Sequence, residues 1–326
     1  MKRGGTLNKE NLLKSFFRLS VSSKKTPGFD ISSEGLRFVE FGNGKTTQVE
    51  KFGFYEGRFI SKDEINDENP LKSILGEINK KDVWSKVTAT LPDEGVYIFR
   101  TTLKVKNIVE AKKIIQEKIS ELIPLPVSEV AFTCVFVDDY EHRLKNISKE
   151  KRDVVVTVIP KEVMRSYEKI YRGVGLNPTF ILRAEAIGKA VIRNGDLSPH
   201  FIIEILSKKT TVSIISGGIV QSILVINVDS EFWKDKKKFH RVISGIEKQY
   251  IGWHAGKNDR GVIKNIILVG SVNDPAVLRE KLAFALRVKV TLGNVWTNVC
   301  SFDEYIPPIT FEESLAYAAA VGCAIK

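Results

Sequence analysis

Several signatures of simple function are missing from this sequence of 326 residues. No run approaches the 18 or so consecutive apolar residues of a membrane-spanning helix. The basic N-terminus, Met1 to Lys9, is not followed by a long apolar segment, so no secretion signal is expected. The three cysteines, Cys134, Cys300 and Cys323, are far apart and form no CxxC pair. That excludes a zinc framework or a dithiol redox site and fits thiols kept reduced in the cytoplasm. His142, His200, His240 and His254 are scattered with no pair at i and i+4, so no metal site is indicated. With no disulfides needed, a chain of this length buries about three quarters of its unfolded surface and is comfortable as two domains.

Charge is plentiful and unbalanced. Fifty basic against 39 acidic side chains give a net charge of +11, which favours an anionic partner: nucleic acid, a membrane surface or an acidic protein. The densest basic stretch, Lys234 to Arg241, has no interleaved aromatic platform and no recognition motif. It reads as a solvated helix face, with nucleic-acid binding as the alternative. Leu12, Leu13, Phe16, Phe17 and Leu19 suggest a short amphipathic helix in a tail over 1–26 that caps the first sheet, with membrane-surface contact as the alternative.

Periodicity then divides the chain. From Pro27, strand-like runs (Gly28 to Ile31, Leu36 to Phe41, Thr47 to Phe54) flank an Asn-Gly turn, a strong hairpin signal. Gly44-Lys45-Thr46 imitates the end of a P-loop, but Val39 stands where that motif needs glycine, and a strand follows rather than a helix. A helix is expected over Pro70 to Asn79 and a strand over Trp84 to Leu91. Asn107-Ile108-Val109-Glu110 has capping-box form and opens a helix stopped by Pro124. Strands at Val130 to Val137 and Asp153 to Ile159 flank a charged loop, Asp138 to Arg152, and a helix covers Val163 to Arg172. Further helices are expected over Arg183 to Arg193, Glu231 to Ala255, Pro275 to Leu286 and Phe311 to Ile325. Strands fall at Phe201–Leu206, Thr211–Ser216, Ile219–Ile226 and Ile263–Val269. The divisions are 1–26, 27–92, an α+β unit over 93–180, and 181–326.

Three turns at strand ends have the placement of a split phosphate clamp: Asp30-Ile31-Ser32-Ser33, Glu204 to Thr210, and Val269-Gly270-Ser271. The pattern Gly28-Phe29-Asp30-Ile31-Ser32-Ser33-Glu34-Gly35-Leu36-Arg37-Phe38-Val39-Glu40-Phe41 resembles the GxDIGSxxIKxVEL element of the PilM family, the actin-like proteins of type IV pilus assembly. Ile123-Pro124-Leu125-Pro126, Gly175-Leu176-Asn177-Pro178 with Glu185-Ala186, and Tyr317 to Ala324 are similar to further elements of that family. Its cell-division relative FtsA shares the plan.

The resemblance spans nearly the whole chain from Pro27. It implies an α/β, actin-like (ribonuclease H-like) two-lobed fold with residues 93–180 as an α+β insert subdomain. It also implies a cytoplasmic scaffold reached by the N-terminal peptide of an inner-membrane PilN-like partner, in a groove near Val96 to Glu129. ATP and magnesium are the implied cofactors, with Asp30, Ser32, Ser33, Glu185, Glu204, Lys208, Thr210, Gly270 and Ser271 at the implied site. Ser32, Leu206 and Ser271 stand where the family has glycines that let backbone N–H groups approach phosphate. Weak or absent binding and hydrolysis are therefore expected, with an active ATPase or kinase-fold enzyme as the alternative.

Overall fold

The computed structural model describes residues 26–42, 47–61, 64–137, 151–255 and 261–325. The tail over 1–25, the Asn43 to Thr46 turn and most of the charged loop after Asp138 lie outside them.

Strands β1 (Gly28–Ser32), β2 (Gly35–Phe41) and β3 (Val49–Glu56) form an antiparallel meander. After a small hairpin, β4 (Ile60–Ser61) and β5 (Glu64–Ile65), helix α1 (Glu68–Asp82) leads into β6 (Lys86–Leu91), parallel to β1. Asp67 caps α1 by accepting the Asn69 N–H. Leu71, Leu75 and Ile78, spaced one helical face apart, are buried against the sheet. Each such side chain contributes about 2 kcal/mol by leaving water.

The chain next builds a three-stranded sheet from β7 (Tyr97–Leu103), β8 (Val130–Phe136) and β9 (Arg152–Pro160), in the order β7-β9-β8. Helix α2 (Ile108–Leu122) covers it with Ala111, Ile115 and Ile119. Asn107 accepts the Val109 and Glu110 N–H groups, as its sequence suggests. Glu110 reaches back to the N–H of Lys106 rather than of Asn107, so the reciprocal box is displaced by one residue. Helix α3 (Lys161–Gly173) and strand β10 (Asn177–Leu182) return to the first layer, where β10 pairs with β6 in parallel. Residues 93–180 therefore span two sheets: 97–160 build the small one, while Met164, Tyr167, Ile170 and Tyr171 of α3 sit in the first core.

Helix α4 (Arg183–Val191) opens the second half. Strands β11 (His200–Ile205), β12 (Thr210–Ser216) and β13 (Ile219–Ile226) repeat the meander. Helix α5 (Lys236–Ala255), β14 (Asn265–Gly270), α6 (Pro275–Leu286) and β15 (Lys289–Leu292) follow. The strand orders are β10-β6-β1-β2-β3 and β13-β12-β11-β14-β15. Both are a meander extended by two parallel strands beside its first strand, the same topology twice. Helix α5 begins later than the Glu231 its pattern suggests. Residues Phe232–Lys234 form a 3₁₀ turn, and Asp235 accepts the N–H groups of Lys237 and Lys238, starting the helix there.

Helices α7 (Phe311–Ser314) and α8 (Ala318–Ala324) are separated by a 3₁₀ turn at Leu315–Tyr317, so the expected final helix is divided. Thr310 and Glu313 form a complete capping box at its start. Helices α4 and α8 join side chains from both sheets in one buried cluster, including Val39, Ile202, Val269 and Trp296. Small residues allow the helices to approach closely: a Cβ at Gly322 would land on the carbonyl oxygen of Ala186 in α4. Among the described residues no helix is long and apolar enough to cross a membrane.

Gly322→Ala should force α4 and α8 apart and lower stability by about 1–3 kcal/mol. An unchanged midpoint in urea unfolding would contradict this close packing.

Candidate functional site

The repeated topology brings β1 and β11 into equivalent positions, and each ends in a turn facing the other half. Asp30 in β1 and Glu204 in β11 are buried carboxylates. Between them lies Arg183, the first residue of α4, only 4% exposed. Its Nε donates to Glu204 at 2.8 and 3.0 Å, its Nη2 meets Glu204 Oε1 at 2.7 Å, and its Nη1 donates to Asp30 Oδ1. Thr90 Oγ1 donates to the same Asp30 oxygen at 2.8 Å. Burial alone would make the guanidinium easier to deprotonate, but Asp30 and Glu204 outweigh it and raise its pKa well above the ordinary value.

A second knot sits on the turns themselves. Glu34, in the β1–β2 turn, accepts the backbone N–H of Ser207 at 2.7 Å and the hydroxyl of Ser271. Arg37 Nη2 donates to the same carboxylate at 3.0 Å. Ser207 belongs to the β11–β12 turn and Ser271 follows β14, so Glu34 joins all three loops of the expected clamp. Gly270, at φ +104°, is required here: its Cβ would strike the Ile205 backbone, which accepts the Ser271 N–H at 2.8 Å.

The other expected site residues distribute as follows. Ser32 is buried, and its Oγ accepts the Glu34 N–H at 3.2 Å. Leu206 is buried and closes its turn by donating its N–H to the Lys209 carbonyl at 2.8 Å. Lys208 is exposed, while Lys209 pairs with Glu94. Glu185 is half-buried on α4, where burial pushes its carboxyl pKa up and Lys189 pulls it down. It lies outside the set joined by Arg183. Asp30 Oδ2, Ser33 Oγ and Thr210 Oγ1 are buried with no hydrogen-bond partner among the described residues, the kind of atom that ordered water commonly satisfies. In the basic run, Lys234, Lys236, Lys237, Lys238 and Arg241 are all exposed, with Lys234 paired to Glu231 and Lys238 to Asp229.

The residues that carry this site but escape motif reading are Arg183, Glu34 and Asp93. Asp93 accepts the N–H of Ala184 at 3.0 Å, capping α4 from a distant loop. Its pKa is pushed up to about 7, first by burial and then by the charges of Glu204 and Glu94.

The sequence matches no protein-family profile and no curated protein. Solved structures do match, and together with the duplicated sheets they define the chain as an actin-like ATPase fold. One, a PilM–PilN type IV pilus biogenesis complex, superposes with a TM-score of 0.77 at 14% identity, covering 93% of this chain and 98% of that one. Another, the ethanolamine utilization protein EutJ from Carboxydothermus hydrogenoformans, gives a TM-score of 0.50 at 12% identity, covering 97% and 96%.

That fold implies a magnesium nucleotide, and the residues present do not fit one. The acids available to a hydrated metal already share a guanidinium. Like charges about 4 Å apart repel by about 4 kcal/mol per unit charge even at an effective dielectric of 20. A divalent ion beside Arg183 would meet roughly twice that.

Asp93 also dictates a pH dependence. The folded chain keeps its proton up to about pH 7, whereas an unfolded aspartate releases it near the ordinary value of 3.8. This contribution to stability is therefore full below pH 3.8 and is lost as pH rises to about 7. Asp93→Asn retains an acceptor for Ala184 without the charge. It should flatten that decline and raise stability at neutral to alkaline pH by on the order of 2–4 kcal/mol. Superimposable pH profiles of wild type and variant would contradict the assignment.

Proposed function

We propose that this chain is a cytoplasmic actin-like scaffold of type IV pilus assembly, docking the N-terminal peptide of an inner-membrane PilN-like protein. Its interlobe site is degenerate and does not sustain ATP turnover. The small sheet β7-β9-β8 with α2 is the insert subdomain in this reading.

The observation that carries the docking role is a groove of about 530 Å³ between that insert and the first lobe. Its lining includes Leu125, Ser128 and Glu129, within the segment Val96 to Glu129 singled out by sequence. Glu68 of α1, Arg165 and Lys169 of α3, and Pro160 also line it. Its lining is mostly charged, with Leu125 and Pro160 as the apolar contacts, which suits an extended peptide that sets an apolar anchor among charged or polar side chains. The full-length likeness to a PilM–PilN complex supports the same reading.

A labelled peptide copying the cytoplasmic N-terminus of a PilN-like protein should bind with a Kd in the micromolar range, or about −8 kcal/mol. Leu125→Glu should weaken it by about tenfold or more. Fluorescence anisotropy reads both. No saturable binding at high micromolar concentration would contradict the proposal.

A further inference from the structure

We propose that the interlobe cleft is self-liganded: the Glu34 carboxylate takes the place of a bound anion and the Arg183 guanidinium that of its counter-cation. The two lobes are thereby held together by the chain's own charges. This rests on the fold and on the cleft contacts, independently of the peptide groove.

The donor set around Glu34 has the chemistry of an anion site. A backbone N–H from Ser207, a hydroxyl from Ser271 and a guanidinium from Arg37 converge on one carboxylate. Such groups normally cradle phosphate oxygens. They come from both halves of the molecule and meet at the turns where the duplicated sheets face each other.

The acceptor set around Arg183 has the chemistry of a hard-cation site. Two buried carboxylates, one from each half, point at a common centre. A planar fork engages both at once: Nε and Nη2 meet Glu204 while Nη1 meets Asp30 Oδ1, and Asp30 Oδ2 has no hydrogen-bond partner among the described residues. Separating the lobes would break the Arg183–Glu204 contacts, which close the ring of charges across the cleft.

An ordinary structural ion pair would lose stability on truncation and stop there. A site vacated by its internal ligand should instead accept the ion that ligand replaces. Thermal melting of wild type, Glu34→Ala and Arg183→Ala in chelator, in millimolar MnCl₂ and in millimolar inorganic phosphate separates the two. The wild-type midpoint should be the same in all three.

Glu34→Ala should melt lower in chelator and recover with phosphate but not manganese. Arg183→Ala should fall by more than about 5 °C and recover with manganese but not phosphate. Should Arg183→Ala not fold on expression, refolding from denaturant with MnCl₂ and with chelator decides: soluble protein only with manganese supports the proposal. Manganese or phosphate raising the wild-type midpoint would overturn it. So would variants that ignore their matching ions, or Arg183→Ala that refolds no better with manganese.

Discussion

A single guanidinium held between carboxylates of two separate sheets organises the centre of this protein. Asp30 and Glu204 occupy corresponding places in the two copies of the meander, and each would be a buried, unpaired charge without Arg183. Removing one member of such a set costs far more than the set contributes net, because the survivors stay desolvated. The geometry thus makes the closed arrangement of the halves self-consistent. Asp93, beside this set, keeps its proton first because of burial and then because the negative charges of Glu204 and Glu94 oppose its ionisation, against the pull of Arg183.

The apolar framework is built to the same end. Helices α4 and α8 lie between the sheets, and α4 begins with Arg183 itself, so the packing that seats the helix also aims the guanidinium. Gly322 and the alanines around it let α8 approach α4 at backbone distance. A well-packed core of this kind does not deform continuously. The space between the two duplicated sheets is closed by polar contacts and small-residue packing, while a groove stays open beside the small sheet.

Much of this architecture was legible in the sequence because it depends on local pattern. The strand runs around Asp30, the glycine that ends β14 and the alanine-rich terminus all sit where their spacing puts them. The element boundaries that moved did so for local reasons, as when the Asp235 cap delayed the start of α5. The identity of strand neighbours was less accessible. The stretch 93–180 reads as one α+β run, yet α3 and β10 leave it to join the first sheet, and only long-range pairing with β6 reveals this. The cleft was legible only in outline. Its altered glycines warned of a degraded phosphate site, but nothing local ties Arg183 to Asp30, 153 positions earlier, or Glu34 to Ser207, 173 positions later. The available signal was chemical: an arginine ending the apolar run Phe180-Ile181-Leu182 and opening an alanine-rich helix is a charge destined for burial, and it needs acids.

The central claim is that internal charges, not a metal nucleotide, occupy the meeting point of the lobes. Isothermal titration of the full-length protein with magnesium ATP addresses it directly. No saturable heat is expected into the millimolar range. Saturable micromolar binding that disappears in Asp30→Asn would contradict the account.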